Sequence, residues 1–247
     1  MPDDTPHKQF GPIVFIHGTG DSNRIWRPQL DYFGPSRATA IDLPGHGERA
    51  DTLPESPEVY GYTKAAHEIV IDELGLDHPI IAGHSLGGAI ALTMGLEYGT
   101  DLGGLILIGT GARLRVLPEL LAAAQTTPHK AGLQLKTLAV ASTTPVTMPT
   151  ELMDEQVTPG SNIVYRDLVA CNSFDCMARL GEISLPTLII CGAEDRLTPV
   201  KYSQYLHDHI AGSTLRIIPG AGHYVFREQP QAFNSAIEEW LQLREQG

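Results

Sequence analysis

Gly83-His84-Ser85-Leu86-Gly87-Gly88 follows Pro79-Ile80-Ile81-Ala82, an apolar run with the length of a buried strand, and precedes Ala89-Ile90-Ala91-Leu92-Thr93-Met94-Gly95-Leu96, which reads as a helix. Ser85 thus falls at a strand-to-helix turn. Such a turn brings backbone segments close together, and glycines on both sides of the serine leave room where a Cβ would clash. G-x-S-x-G in this context reads as a nucleophile elbow, which lifts the hydroxyl above the end of a sheet at a helix N-terminus. There, free N–H groups and the positive dipole end favour developing negative charge. A glycine-rich turn with an incidental serine fits the same pentapeptide, so the decision passes to the rest of the chain.

Upstream, Pro12-Ile13-Val14-Phe15-Ile16 is a β-rich apolar run ending at His17-Gly18-Thr19-Gly20, a strand followed by a sharp loop. A helix is expected around Trp26 to Tyr32. The next strand is Ala38-Thr39-Ala40-Ile41, stopped by Asp42-Leu43-Pro44-Gly45-His46-Gly47. Pro57 to Leu74 reads as a helix, with Val59, Ala66, Ile69, Val70 and Leu74 on one face. Downstream, Leu105-Ile106-Leu107-Ile108 is another buried strand. From 112 to 181 the strand rhythm stops. Helical pieces at Leu117–Ala124, His129–Ala139, Glu151–Val157 and Asn162–Ala170, separated by Pro128, Pro145, Pro149 and Pro159, predict a lid packed over the sheet edge. Alternation resumes with Pro186–Cys191 (strand), Val200–Ile210 (helix), Thr214–Ile218 (strand) and Gln229–Arg244 (helix). The fold class is α/β, a mostly parallel doubly wound sheet, with core residues 1–111 and 182–247 and a helical cap at 112–181.

A chain of 247 residues, 42% hydrophobic and 19% charged, suits one globular core with one insertion. Its net charge of −12 argues against nucleic-acid and anionic-membrane partners, which need clustered Lys and Arg. The three cysteines, Cys171, Cys176 and Cys191, are an odd number without a C-x-x-C pair, so reduced buried thiols are expected and no metal site. No phosphate-binding glycine pattern appears, so no nucleotide or other cofactor is expected. Met1-Pro2-Asp3-Asp4-Thr5-Pro6 lacks the basic and apolar regions of a signal peptide, and no apolar run approaches a bilayer span. A soluble, cytoplasmic protein is the expectation.

In open parallel sheets functional groups collect beyond the carboxyl ends of strands. His17-Gly18-Thr19, Asp42, Ser85, Asp195 and His223 all stand there. A serine hydroxyl needs a base within hydrogen-bond reach, and that base needs an orienting carboxylate. Asp195 in Gly192-Ala193-Glu194-Asp195 and His223 in Gly222-His223 supply them, in the order Ser, Asp, His expected after a nucleophile elbow. Glu194 is the competing carboxylate. His17 and His46 are read as loop braces, Asp42 as a loop cap, Trp26 as a pocket wall or buried anchor, and His84 as shaping the elbow or simply packing.

The His-Gly loop, the Asp42-x-Pro44-Gly45-His46-Gly47 loop, the elbow, the Gly192 to Asp195 loop and the Gly222-His223 pair together resemble the α/β-hydrolase superfamily over nearly the whole chain outside the lid. The resemblance implies Ser85 as nucleophile, His223 as general base and then acid, and Asp195 as its orienting carboxylate. It also implies an oxyanion hole from the backbone N–H groups of Thr19 and Leu86, and a cap inserted after the equivalent of the sixth strand. The chain departs from the family at its start: only 16 residues precede His17, so the usual N-terminal β-hairpin is shortened or missing and at most one short extra strand fits.

The reaction expected is acyl transfer to water by a carboxylesterase-like serine hydrolase acting on a small to medium carboxylic ester. Its pocket would lie under the lid residues Leu117, Leu120, Leu121, Leu133, Leu135, Leu138, Val140, Met148, Leu152 and Met153. Carbon–carbon bond hydrolysis, enol-lactone hydrolysis and lyase chemistry stay open on the same triad, because one fold hosts many chemistries. A ligand receptor without catalysis is the reading from another class, and the intact Ser85, Asp195 and His223 weigh against it.

Overall fold

The structure, a computed structural model, describes residues 11–55, 57–154 and 162–245. Its strands are β1 (Ile13–Ile16), β2 (Ala38–Ile41), β3 (Ile80–His84), β4 (Gly104–Ile108), β5 (Thr187–Gly192) and β6 (Thr214–Ile218). Its helices are α1 (Arg27–Phe33), α2 (Val59–His67), α3 (Leu86–Glu97), α4 (Pro118–Thr126), α5 (Pro128–Ala139), α6 (Met148–Asp154), α7 (Ile163–Ser173), α8 (Val200–His209), α9 (Val225–Glu228) and α10 (Pro230–Glu245).

The strands form one parallel sheet in the order β2-β1-β3-β4-β5-β6. Side chains alternate across it. Val14 and Ile16 join the core shared with α2, α3 and α8, while Ile13 and Phe15 join the one shared with α1 and α10. Both faces of β1, β3, β4 and β5 are covered, which is why these inner strands read as apolar runs, while the edge strands β2 and β6 are part-exposed. The order reverses between β1 and β3, so the loops leaving these two strands diverge and open a crevice at their carboxyl ends. The loop at His17 and the elbow at Ser85 are those two loops.

The doubly wound sheet is the one expected, with local differences. β3 runs to His84, because Gly83 and His84 still pair with Leu107 and Ile108. The helix expected to reach Leu74 leaves α geometry at Glu68 and continues as a wider turn to Glu73. α6 starts at Met148, and Pro149, read as a separator, sits in its first turn, where a missing N–H costs no helical bond. Residues 155–157 of the expected piece, and Pro159, lie outside the described residues. So do the first ten residues, on which the polar leader and most of any extra N-terminal strand fall. Where no strand was expected, a single antiparallel bridge between Arg113 and Asp175 closes the base of the insertion. α4, α5 and α7 share a small core around Ala124, Ala131 and Leu168, while Leu152 of α6, Ala139 of α5 and Ala170 and Cys171 of α7 pack into the sheet cores. Among the described residues no helix is long and apolar enough to cross a membrane.

Candidate active site

Ser85 links β3 to α3 with φ +54° and ψ −112°, a conformation costly for a residue with a side chain, by about 1–3 kcal/mol. The surroundings hold it there. Its N–H donates to Ile108 O at 3.0 Å, and its carbonyl accepts from Gly88 N at 2.9 Å, Ala89 N at 3.1 Å and Thr110 Oγ1 at 2.9 Å. The flanking glycines are a steric requirement: a Cβ on Gly83 would lie 2.0 Å from Gly87 O, and one on Gly87 would lie 2.4 Å from Ile16 O. Leu86 is the first residue of α3, so its N–H has no acceptor within the helix. The loop after β1 runs against the elbow, since a Cβ on Gly18 would sit 3.2 Å from Ser85 Cβ.

Asp195 and His223 come from the loops after β5 and β6. His223 Nδ1 lies 2.8 Å from Asp195 Oδ2, which also accepts from Thr198 Oγ1 at 2.8 Å. Asp195 Oδ1 accepts from Leu197 N at 2.9 Å and Thr198 N at 2.8 Å. Burial pushes this carboxyl's pKa up, but the charge and hydrogen bond of His223 and the Thr198 donors outweigh it and hold the pKa below the usual value. An ionised carboxylate only accepts, so the proton of neutral His223 is on Nδ1 and the Nε2 lone pair is free to take another. Glu194, the competitor, turns away: its Oε2 accepts from Ser142 N at 3.2 Å and Ser142 Oγ at 2.9 Å.

Four further residues resolve into structural roles. His84 donates from Nε2 to the His223 carbonyl at 3.1 Å, and burial, then the neighbouring His223, push its pKa well down, so it is a neutral brace of the His223 loop. His17 accepts from Leu43 N at Nε2, 3.1 Å, and burial followed by His46 lowers it to about 4. Asp42 accepts from Asn23 N at 2.7 Å and Glu48 N at 3.4 Å, as a loop cap does. Trp26 is fully buried, stacked on Phe15 at 4.7 Å and Phe226 at 4.0 Å, an anchor outside the pocket.

His46 differs from these. Its Nδ1 faces Pro44 O at 3.2 Å and its Nε2 faces Asp167 Oδ2 at 2.8 Å; both partners only accept, so both nitrogens carry protons. Burial opposes that charge, but Asp167 prevails and the His46 pKa rises. The cysteines are free and buried, burial pushes Cys171 and Cys176 to about 12, and among the described residues no three His, Cys, Asp or Glu side chains group to hold a metal.

Ser85, His223 and Thr19 all line one cavity of about 530 Å³ beneath the inserted helices. Leu117, Leu120, Leu135 and Leu138 line it as expected, joined by Leu114 and Leu168, which the sequence reading missed. Of the other expected lining residues, Val140, Leu152 and Met148 pack with a sheet core, Leu121 packs in the core that α4, α5 and α7 share, and Leu133 and Met153 are not in the wall. A helix has one face toward the pocket, and apolar residues on its other faces pack elsewhere. Of the charged side chains at the wall, Arg115, Arg196 and Lys201 are cations and Glu119 and Asp21 carboxylates.

The sequence model described as the alpha/beta hydrolase family matches residues 13–236. The chain belongs to that family. Among curated relatives, 3-oxoadipate enol-lactonase 2 of Acinetobacter baylyi is 28% identical over 236 residues, covering 92% of this chain and 86% of that protein. Among solved structures, a thermophilic esterase is 35% identical, with a TM-score of 0.82 over 96% of this chain and 91% of its own. An N-acyl homoserine lactone degrading enzyme is 27% identical, with a TM-score of 0.79 over 94% and 93%. Among the described residues, β2 forms the edge of the sheet next to β1.

Proposed function

We propose that this alpha/beta hydrolase cleaves small to medium carboxylic esters through an acyl-enzyme on Ser85. The observation that carries the reading is the 2.8 Å contact of His223 Nδ1 with Asp195 Oδ2 at the cavity that Ser85 also lines: an ionised Asp195 there holds Nδ1–H and leaves Nε2 as a base. Ser85 Oγ attacks the ester carbonyl as His223 takes its proton, and the oxyanion forms against the N–H groups of Leu86 and Thr19. His223 then protonates the departing alkoxide, and water repeats the sequence on the acyl-enzyme. Residues 1–111 and 182–247 would form the catalytic core and 112–181 the cap that walls the pocket, a division supported by the small core that α4, α5 and α7 share. The similarity to an esterase supports the same bond class.

Enol-lactone hydrolysis is the second reading, on the same machinery. The cavity wall carries Arg115, Arg196 and Lys201 against Glu119 and Asp21, the latter already paired with Lys136, in a chain of net charge −12, and these cations suit a substrate with a carboxylate, as the 3-oxoadipate of the relative's name implies. Two measurements test the proposal. Ser85→Ala should abolish turnover of p-nitrophenyl butyrate, and a fluorophosphonate should leave its adduct on Ser85 by mass spectrometry. Wild-type turnover in Ser85→Ala would end the serine reading. Faster turnover of an anionic enol-lactone than of neutral esters, with the anionic advantage fading in salt, would favour the second substrate class.

A further inference from the structure

The cap reaches the loop after β1 from two sides, at adjoining residues, with buried charges. From α7, Asp167 accepts the Gly20 N–H at 2.8 Å, and one turn further on Cys171 Sγ lies 3.8 Å from Thr19 Oγ1. Asp167 is fully buried and is itself held by His46 Nε2 at 2.8 Å and Tyr62 OH at 2.6 Å. From α5, Lys136, 1% exposed, pairs with Asp21 and donates to Tyr224 OH at 2.9 Å, while Tyr224 donates to the other Asp21 oxygen at 3.0 Å. The same helix ends in Ala139, whose carbonyl accepts the His223 N–H at 2.6 Å.

A cover for an apolar pocket needs only apolar side chains. Ammonium and carboxylate groups stripped of water add little stability even when paired, and are better explained by a demand on geometry. The Asp167, Lys136 and Ala139 contacts converge on Gly20, Asp21 and the His223 loop, the residues adjoining the proposed oxyanion donor Thr19 and the proposed base. We infer that Asp167 and Lys136 are positioning residues through which the seated cap sets the oxyanion loop, so that the Thr19 N–H is aimed at the developing charge only while the cap is closed. The inference rests on the serine hydrolase reading above. It has a consequence for selectivity: a substrate too large for the closed cap loses kcat, because lifting the cap dismantles the oxyanion hole.

The test uses a short alkyl trifluoromethyl ketone. Ser85 Oγ bonds to its carbonyl carbon, the serine proton passes to His223, and the carbonyl oxygen becomes an anion in the hole, so affinity reports donor placement. Lys136→Met and Asp167→Ala should each weaken ketone binding by about 10- to 100-fold and lower kcat by the same factor, with KM for p-nitrophenyl butyrate within about twofold. Asp167→Asn, which keeps an oxygen for Gly20 N–H, should recover most of the loss. Tyr224→Phe removes one hydroxyl from a packed ring and covers the case in which the charge variants fail to fold; it should weaken the ketone by about threefold or more. Unchanged ketone affinity in folded variants, or a rise in KM at constant kcat, overturns the inference. Failure of the wild-type protein to bind the ketone or to take a fluorophosphonate on Ser85 overturns the hydrolase reading instead, and this one with it.

Discussion

Asp195→Asn should cost more turnover than Asp195→Ala, although asparagine is the closer match in shape. Oδ1 of Asp195 accepts two backbone amides, from Leu197 and Thr198, and Oδ2 accepts from His223 Nδ1 and Thr198 Oγ1. An asparagine has one oxygen, and the two fixed N–H groups claim it, since the reverse orientation would set an NH2 against both. The NH2 then faces His223, forcing Nδ1 to accept and moving the imidazole proton to Nε2, where the proposed base can no longer take one from Ser85. The combined loss of tautomer and charge should reduce kcat by about 10⁴-fold, roughly 5 kcal/mol of barrier. In Asp195→Ala, Thr198 Oγ1, 3.2 Å from Nδ1, remains as a neutral acceptor that keeps the productive tautomer. The loss is then one charge-assisted hydrogen bond, about 3 kcal/mol or 100-fold. The alanine variant leaves two buried amides unpaired and should melt earlier, so turnover of p-nitrophenyl butyrate is measured well below both melting points. Long-range ¹H–¹⁵N NMR reads the tautomer directly. Turnover within tenfold of wild type in Asp195→Asn, or above that of Asp195→Ala, would refute the reasoning.

Gly18→Ala would place a methyl 3.0 Å from His84 Nδ1 and 3.2 Å from Ser85 Cβ, so the loop must back away; kcat should fall about tenfold or more with little change in melting temperature, checked by kinetics and circular dichroism. Acid should destabilise the fold through His17, which titrates near 6.5 when unfolded and about 4 when folded. Between those values only the unfolded chain binds the proton, at a cost of up to about 3 kcal/mol, and NMR should find the His17 ring neutral at pH 5. His46 has the opposite sign: its pKa is raised, so its contribution is complete below about 6.5 and is lost as pH rises through the folded value. Urea denaturation from pH 6 to 9 should show that decline in wild type and lack it in His46→Gln. The three buried thiols should ignore Ellman's reagent until the chain unfolds and then all react; a fast thiol in the native protein would contradict their burial.

The parts of the fold readable from the chain are those written locally. The four inner strands, β1, β3, β4 and β5, are apolar runs because a parallel sheet covered on both faces excludes water from their residues, while the edge strands β2 and β6 keep polar, part-exposed positions; candidate residues of the loops stand near glycines, His17 before Gly18, Ser85 between Gly83 and Gly87, and His223 after Gly222. The glycines at 83 and 87 in particular are demanded by backbone atoms within a few residues or on the adjacent strand, so the elbow is legible as a pattern. The start of α6 departs from the proline pattern for a local reason too, since proline punctuates a helix interior but not its first turn.

The rest depends on residues far apart in the chain. Lys136 and Asp21 are 115 positions apart, and Asp167 and Gly20 are 147 apart; nothing near Lys136 in Gln134-Leu135-Lys136-Thr137 distinguishes it from a solvated helical lysine. His46 read as a loop brace, and only the Asp167 carboxylate brought against it by α7 made it a buried cation. Ser85, Asp195 and His223 stand out as candidates from local motifs and their order along the chain, whereas the docking of Lys136 and Asp167 on the loop beside Ser85 belongs to the packed chain, because electrostatic partners in a low-dielectric interior are chosen by where helices dock and not by any spacing along the sequence.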